Sequence, residues 1–134
     1  MKSVMTEFPH DIESHAPIGQ ARKRMMAYKV RHFPVTENHV LKGLITDRDI
    51  KLILGPEFDY LDPKSLTVED AMVADPYSVD LETSLIVTLD EMAARHIGAA
   101  LVMKGDRVAG IFSASDACRV VVILFSPLLH SQLN

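Results

Sequence analysis

Residues 43–49 read GLITDRD and residues 110–116 read GIFSASD. Each follows one frame: glycine, two apolar residues, a hydroxyl residue, two variable positions, aspartate. Moving the chain by 67 positions lays one frame on the other, and the match spreads outward. Met5 falls on Met72, Pro9 on Pro76, Met25 on Met92, Val35 on Val102, Gly43 on Gly110 and Asp49 on Asp116. Between them apolar meets apolar: Ile12 with Val79, Ile18 with Leu85, Val30 with Ile97, Leu44 with Ile111. No gap is needed over residues 4–50. Such a repeat governs the reading of the fold, because each copy should fold alike and neither is large enough to bury much surface alone.

Both copies predict the same elements. HAPIGQARKRMMAYKV (15–30) sets Ile18, Ala21, Met25 and Met26 at helical spacing, with Arg22, Lys23 and Arg24 on the other side. TSLIVTLDEMAARHI (83–97) does the same with Leu85, Leu89, Met92 and Ala93, and Thr83 is its expected cap. HFPVTE and AALVMK suit buried strands, and VLKGLIT and RVAGIFS suit second strands joined through the turns ENH and GDR. TDRDIKLIL and SASDACRVVVILF are apolar enough for closing helices. Each repeat is therefore predicted as β-α-β-β-α: repeat 1 over 1–54, a Pro- and acid-rich linker over 55–66, repeat 2 over 67–125, and a tail over 126–134. TVEDAM (67–72) reads as a capped turn of helix entering repeat 2, and the tail beyond Pro127 is expected to fray unless a partner covers it.

The composition fits a soluble globular domain. It is 48% hydrophobic and 24% charged over 134 residues, with apolar surface enough to offset chain entropy. A formal net charge of -4 argues against a general nucleic-acid binder, and no nucleic-acid partner is expected. Cys118 is the single cysteine, so no internal disulfide forms. The N-terminus has no apolar core of signal-peptide length, and VVVILF (120–125) is too short to span a bilayer. A cytoplasmic location without membrane attachment is the expectation.

The order and duplication of these motifs resemble a tandem pair of CBS domains, the Bateman module. The resemblance rests on VMTEFPHDI and AMVADPYSV opening the repeats, VRHFPV and IGAALV in the middle, and GLITDRDI and GIFSASDA closing them, over residues 4–120. It implies an α+β fold of two pseudo-symmetric β-α-β-β-α repeats packed sheet to sheet. It further implies adenosine-containing ligands in clefts between the repeats, and frequent dimerisation.

Thr or Ser followed three residues later by an acid is first of all a helix cap. A helix start also presents unpaired N–H groups that suit a phosphate, and a carboxylate can accept from both neighbouring hydroxyls of a ribose. By the resemblance, Thr46 and Asp49 hold phosphate and ribose in one site, and Ser113, Ser115 and Asp116 do so in the other. The base would lie against Ile12 and Pro34, or against Val79 and Leu101. Arg31, His32 and Arg48 are candidate phosphate partners of the first site. Repeat 2 has Gly98 and Ala99 in place of Arg31 and His32, and Leu101 in place of Pro34.

Other chemistry finds no support in the residues. His10 and His15, and His32 and His39, lack the spacing of a metal helix, so no metal site is expected. Cys118 reads as a packed small residue. Nothing pairs a nucleophile with a base, so no enzyme activity is expected. The expectation is a non-catalytic regulatory module that needs no cofactor, binds AMP, ADP, ATP or S-adenosylmethionine, and signals to an unidentified regulated protein. The alternative is a structural dimerisation module whose nucleotide sites have decayed. The apolar helix near 115–125 points to a homodimer in either case.

Overall fold

A computed structural model describes residues 1, 3–7, 10–54 and 66–133, with side-chain surroundings up to residue 127. All but the last residue of the expected linker, 55–66, lies outside the described residues. The chain forms two compact units, Pro9–Pro76 and Met1–Phe8 with Tyr77–Asn134. Each holds one four-stranded sheet and its helices.

In the first unit, β2 (Ile12–Glu13) runs parallel to β3 (His32–Glu37), which pairs antiparallel with β4 (Val40–Thr46). Helix α1 (Ile18–Tyr28) buries Ile18, Ala21 and Met25 of its expected core-facing stripe, while Met26, also expected there, is exposed. It stops at Lys29, which takes the left-handed conformation at φ 56°. Helix α2 (Asp47–Leu54) follows β4 directly and buries Ile50 and Leu54. The sheet is completed by β5 (Val73–Ala74), which pairs with β4 and is reached through α3 (Val68–Ala71). Both come from the opening of repeat 2. Thr67 and Asp70 cap α3 reciprocally, as the sequence predicts, and Val68 is fully buried.

The second unit repeats this with its opening strand exchanged in the opposite sense. Its sheet runs β1 (Thr6–Glu7), β8 (Arg107–Ser113), β7 (Ala99–Lys104), β6 (Ser78–Asp80), so the edge beside β8 is supplied by the start of repeat 1. Spatial units and sequence repeats thus differ by one short opening segment each. Helix α4 (Leu85–Arg95) ends at His96, with φ 55°. Helix α5 (Ala114–Leu133) closes the unit. Val79, Met92, Ala100, Val102 and Phe112 form its core, against which Leu85, Leu89, Ala117 and Val120 pack.

The 67-residue register survives in detail. Val35 pairs with Gly43 and Val102 with Gly110, and a bulge follows each valine. Asp47 N–H donates to the Arg31 carbonyl, and Ala114 N–H to the Gly98 carbonyl, both at 2.9 Å. The two frame glycines have one steric reason. A Cβ on Gly43 would lie 2.5 Å from the Val73 carbonyl oxygen and 2.8 Å from the Met72 sulfur. A Cβ on Gly110 would lie 2.6 Å from the Thr6 carbonyl oxygen and 2.8 Å from the Met5 sulfur.

Three expectations are corrected. Ser84, not Thr83, caps α4 by accepting from Val87 N–H, because Thr83 is held in a turn with Asp80. The segment beyond Pro127 continues α5 to Leu133 instead of fraying. Cys118 is exposed, not packed, since α5 turns its Ala117 and Val120 positions to the core.

Gly43→Ala and Gly110→Ala should each lower stability by about 1–3 kcal/mol, because backbone rather than a flexible side chain must move. Urea denaturation of the single variants measures this. A second expectation concerns His15, whose Nε2 lies 2.7 Å from Glu37 and whose Nδ1 lies 3.7 Å from Glu69. The hydrogen bond to Glu37, then its charge, raise the His15 pKa above 6.5. The stabilisation that follows is fully present below the unfolded-state value and is lost as pH rises through the raised one. Proton NMR should show His15 titrating above 6.5 in the wild type and lower in Glu37→Gln.

Candidate functional site

Each closing helix starts where its strand ends, and the junction residue is the frame's hydroxyl. In the first unit Thr46 N–H and Oγ1 donate to Asp49 Oδ2 at 3.0 and 2.8 Å, while Asp49 N–H donates back to Thr46 Oγ1 at 3.1 Å. In the second, Ser113 N–H and Oγ donate to Asp116 Oδ2 at 2.9 and 3.0 Å, and Asp116 N–H donates back at 3.3 Å. Thr67 and Asp70 repeat the same carboxylate contacts at a four-residue helix outside the frame. The box therefore builds a helix start wherever it occurs. Any ligand function must come from what the carboxylate has left over.

Here the two aspartates part. Asp116 is 4% exposed, and its Oδ1 accepts from Thr6 Oγ1 at 3.0 Å and from the Arg119 guanidinium at 3.2 Å. Both of its oxygens are engaged. The positions matching Thr6 and Arg119 are Val73 and Leu52, neither of which has a side-chain donor. Asp49 is half-buried, and its Oδ1 accepts no hydrogen bond among the described residues. Among the described residues, one carboxylate oxygen is thus without a donor in the first unit and none is in the second.

The remaining predicted residues fall in three groups. His32 pairs across the sheet from Thr46, so β3 and β4 bring it to the helix start, and it is half-buried. Arg48 is exposed one residue before Asp49. Arg31 is also exposed, but lines a groove between α1 and α2 with Arg22, Lys29, Asp47 and Lys51. Ile12, Pro34, Val79 and Leu101 are all buried. Ser113 is half-buried and Ser115 exposed at the start of α5.

Sequence reasoning missed two side chains. Thr6 reaches Asp116 only because β1 is exchanged into the second sheet, and nothing local signals that. Arg24, assigned to the solvent side of α1, instead lies 4.8 Å over the Phe33 ring and donates to the Asp11 carbonyl at 2.9 Å. No group of His, Cys, Asp and Glu suited to a metal ion occurs among the described residues. Among the same residues, no helix is long and apolar enough to cross a membrane.

A family model for the CBS domain matches the chain twice, over residues 1–55 and 68–123. The chain belongs to the CBS-domain family and carries the domain as a pair. In fold it is similar to an uncharacterized conserved protein from Pyrococcus horikoshii, at 23% identity over 90% of this chain and 89% of that one, with a TM-score of 0.78. It is similar also to the CBS domain pair of protein MJ0100, solved with 5′-methylthioadenosine and S-adenosyl-L-methionine, at 23% identity over 90% and 97% of the two chains and a TM-score of 0.77. A hexameric CBS-CP12 protein from bloom-forming cyanobacteria matches at 27% identity over 86% of this chain and 66% of that one, with a TM-score of 0.75. No curated protein matches the chain.

Thr6→Val should cost about 1 kcal/mol of stability, since Asp116 then loses a donor in a buried position. Val73→Thr, the matching change in the first unit, should not destabilise in the same way, because Val73 is 48% exposed and Asp49 is not closed in. Chemical denaturation of the two variants side by side tests the asymmetry.

Proposed function

We propose that this chain is a non-catalytic regulatory module that binds an adenosine-containing ligand at the Thr46–Asp49 helix start. AMP, ADP, ATP and S-adenosylmethionine are the candidate ligands. The observation that carries the reading is Asp49 Oδ1, which accepts no hydrogen bond among the described residues and lies beside the N-terminus of α2. A ribose presents two adjacent hydroxyl donors, and a carboxylate with a spare oxygen can accept them. Arg48 and His32, next to Asp49 and Thr46 in the chain and in the sheet, supply charge and hydrogen bonding toward a phosphate. The adenosine compounds held by the MJ0100 domain pair support this ligand class. Asp116, already bonded to Thr6 and Arg119, is assigned a structural role, so one ligand per chain is expected.

A structural dimerisation module is the second reading, and it draws on α5. Val121, Val122, Ile123, Leu124 and Phe125 are 51–67% exposed on consecutive positions, and Ile86 and Val87 of α4 are exposed as well. So much apolar surface on one unit favours a homodimer under either reading. A regulated partner protein, cytoplasmic in location like the module, belongs to the first reading only.

Calorimetry with AMP, ATP and S-adenosylmethionine separates the two. Asp49→Asn should weaken binding by about 1.5–3 kcal/mol, the scale of hydrogen bonds to a charged group. Val73→Thr should weaken it too, by setting a hydroxyl where Thr6 stands in the other unit. Absence of binding by the wild type leaves the structural reading. For the dimer, sedimentation equilibrium should give twice the chain mass for the wild type, and Val122→Glu with Leu124→Glu should give the monomer.

A further inference from the structure

The seam that joins the borrowed segment α3–β5 to the first unit is centred on His15. The Ser14 carbonyl accepts from Glu69 N–H and the Ala16 carbonyl from Val68 N–H, each at 2.9 Å, so the backbone bonds of the seam fall on either side of His15. The His15 side chain spans the same seam. Its Nε2 lies 2.7 Å from Glu37 of β3, and its Nδ1 lies 3.7 Å from Glu69 of α3. Glu37 belongs to the unit's own repeat, whereas Glu69 comes from the opening of repeat 2. One imidazole therefore stands between two carboxylates that only the strand exchange brings together.

The charges around it depend on its proton. Glu13 of β2, Glu37 of β3 and Glu69 of α3 all act on His15, and Lys42 of β4 lies 3.9 Å from Glu37. With His15 neutral, these three carboxylates face one lysine across the seam. With His15 charged, both of its nitrogens donate, and the carboxylates on its two sides are drawn to one cation. The hydrogen bond to Glu37 and its charge, with Glu69 and Glu13 adding to them, raise the His15 pKa above 6.5.

The second unit shows what the same positions hold when no titration is involved. In the 67-residue register His15 falls on Glu82, Glu37 on Lys104 and Glu69 on Lys2. The signs are reversed: an acid stands where the histidine is, and lysines stand where the two carboxylates are. Carboxylate and lysine both keep their charge across the neutral range. Only the first unit has a group at this seam whose charge changes there.

We infer that His15 is a proton-operated clasp: charged, it ties Glu69 of α3 to Glu37 of β3 and holds the opening of repeat 2 on the first unit, and neutral, it lets that segment loosen. The sign follows from linkage. Closing the seam raises the affinity of His15 for its proton, so the added hold is fully present below the ordinary imidazole value and is lost as pH rises through the raised one. His15 is 63% exposed, so the effect is modest and weakens with salt. The inference does not rest on the adenosine reading.

Amide hydrogen exchange of the full chain, followed by NMR at about pH 6 and about pH 8.5 and corrected for the intrinsic rate, tests it, since these values bracket the imidazole range. Protection of the Val68 and Glu69 amides should fall roughly two- to fivefold at the higher pH, the scale of an exposed ion pair. The Asp47 amide of the first unit and the Leu81 and Leu101 amides of the second, all hydrogen-bonded away from this seam, should not change. His15→Lys should hold the high protection at both values, and His15→Gln the low protection at both. Glu69→Gln should remove most of the pH dependence, because the bond to Glu37 survives while the tie to α3 does not. Protection of Val68 and Glu69 that does not change with pH in the wild type, or a pH dependence that persists undiminished in His15→Gln or in Glu69→Gln, would overturn the inference. So would an equal fall at Asp47, Leu81 and Leu101, which would mark a general loosening of the chain.

Discussion

The closest constraint in this protein is the approach of an edge strand to a glycine. Val73 lies against Gly43, and Thr6 against Gly110, with the carbonyl oxygen of each edge residue where a Cβ would stand. Any side chain there would push the edge strand away and leave its backbone groups to find other partners. Because each edge strand comes from the opening of the other repeat, this contact also decides which segments make up each compact unit. The pairing in turn sets what stands next to the helix starts: a threonine hydroxyl in one unit and a valine in the other.

From that difference follows the unequal bonding of the two frame aspartates. The T/S-x-x-D box closes the same hydrogen-bonded ring three times in the chain, and in each case a helix begins. The ring uses one carboxylate oxygen and leaves the second free to be claimed. In the second unit Thr6 and Arg119 claim it, and burial makes the arrangement costly to break. In the first unit no described side chain does so. Two copies of one motif thereby acquire different chemistry without any change in the motif.

Charge is distributed with the same asymmetry. The α1–α2 frame of the first unit gathers cations, while the equivalent frame of the second is nearly uncharged and the neighbouring α5 surface is apolar. Duplication supplies two identical backbones, and substitution at exposed positions costs little stability, so the two surfaces are free to take up separate tasks.

The repeat, its elements and the helix caps at Thr46, Thr67 and Ser113 were legible in the chain itself. Periodicity, strand patterning and capping are local, depending on residues a few positions apart. The frame aspartates were legible as a pair but not as unequal. Their difference rests on Thr6 and Val73, residues 110 and 24 positions away from Asp116 and Asp49 in the chain. Arg24 against Phe33 and the cation groove formed by Arg22, Lys29, Arg31 and Lys51 were hidden for the same reason. A one-dimensional pattern shows which residues share a helix or a strand. Only the pairing of sheets and the packing of helices decides which side chain completes another's hydrogen bonds, and which is left to meet a ligand.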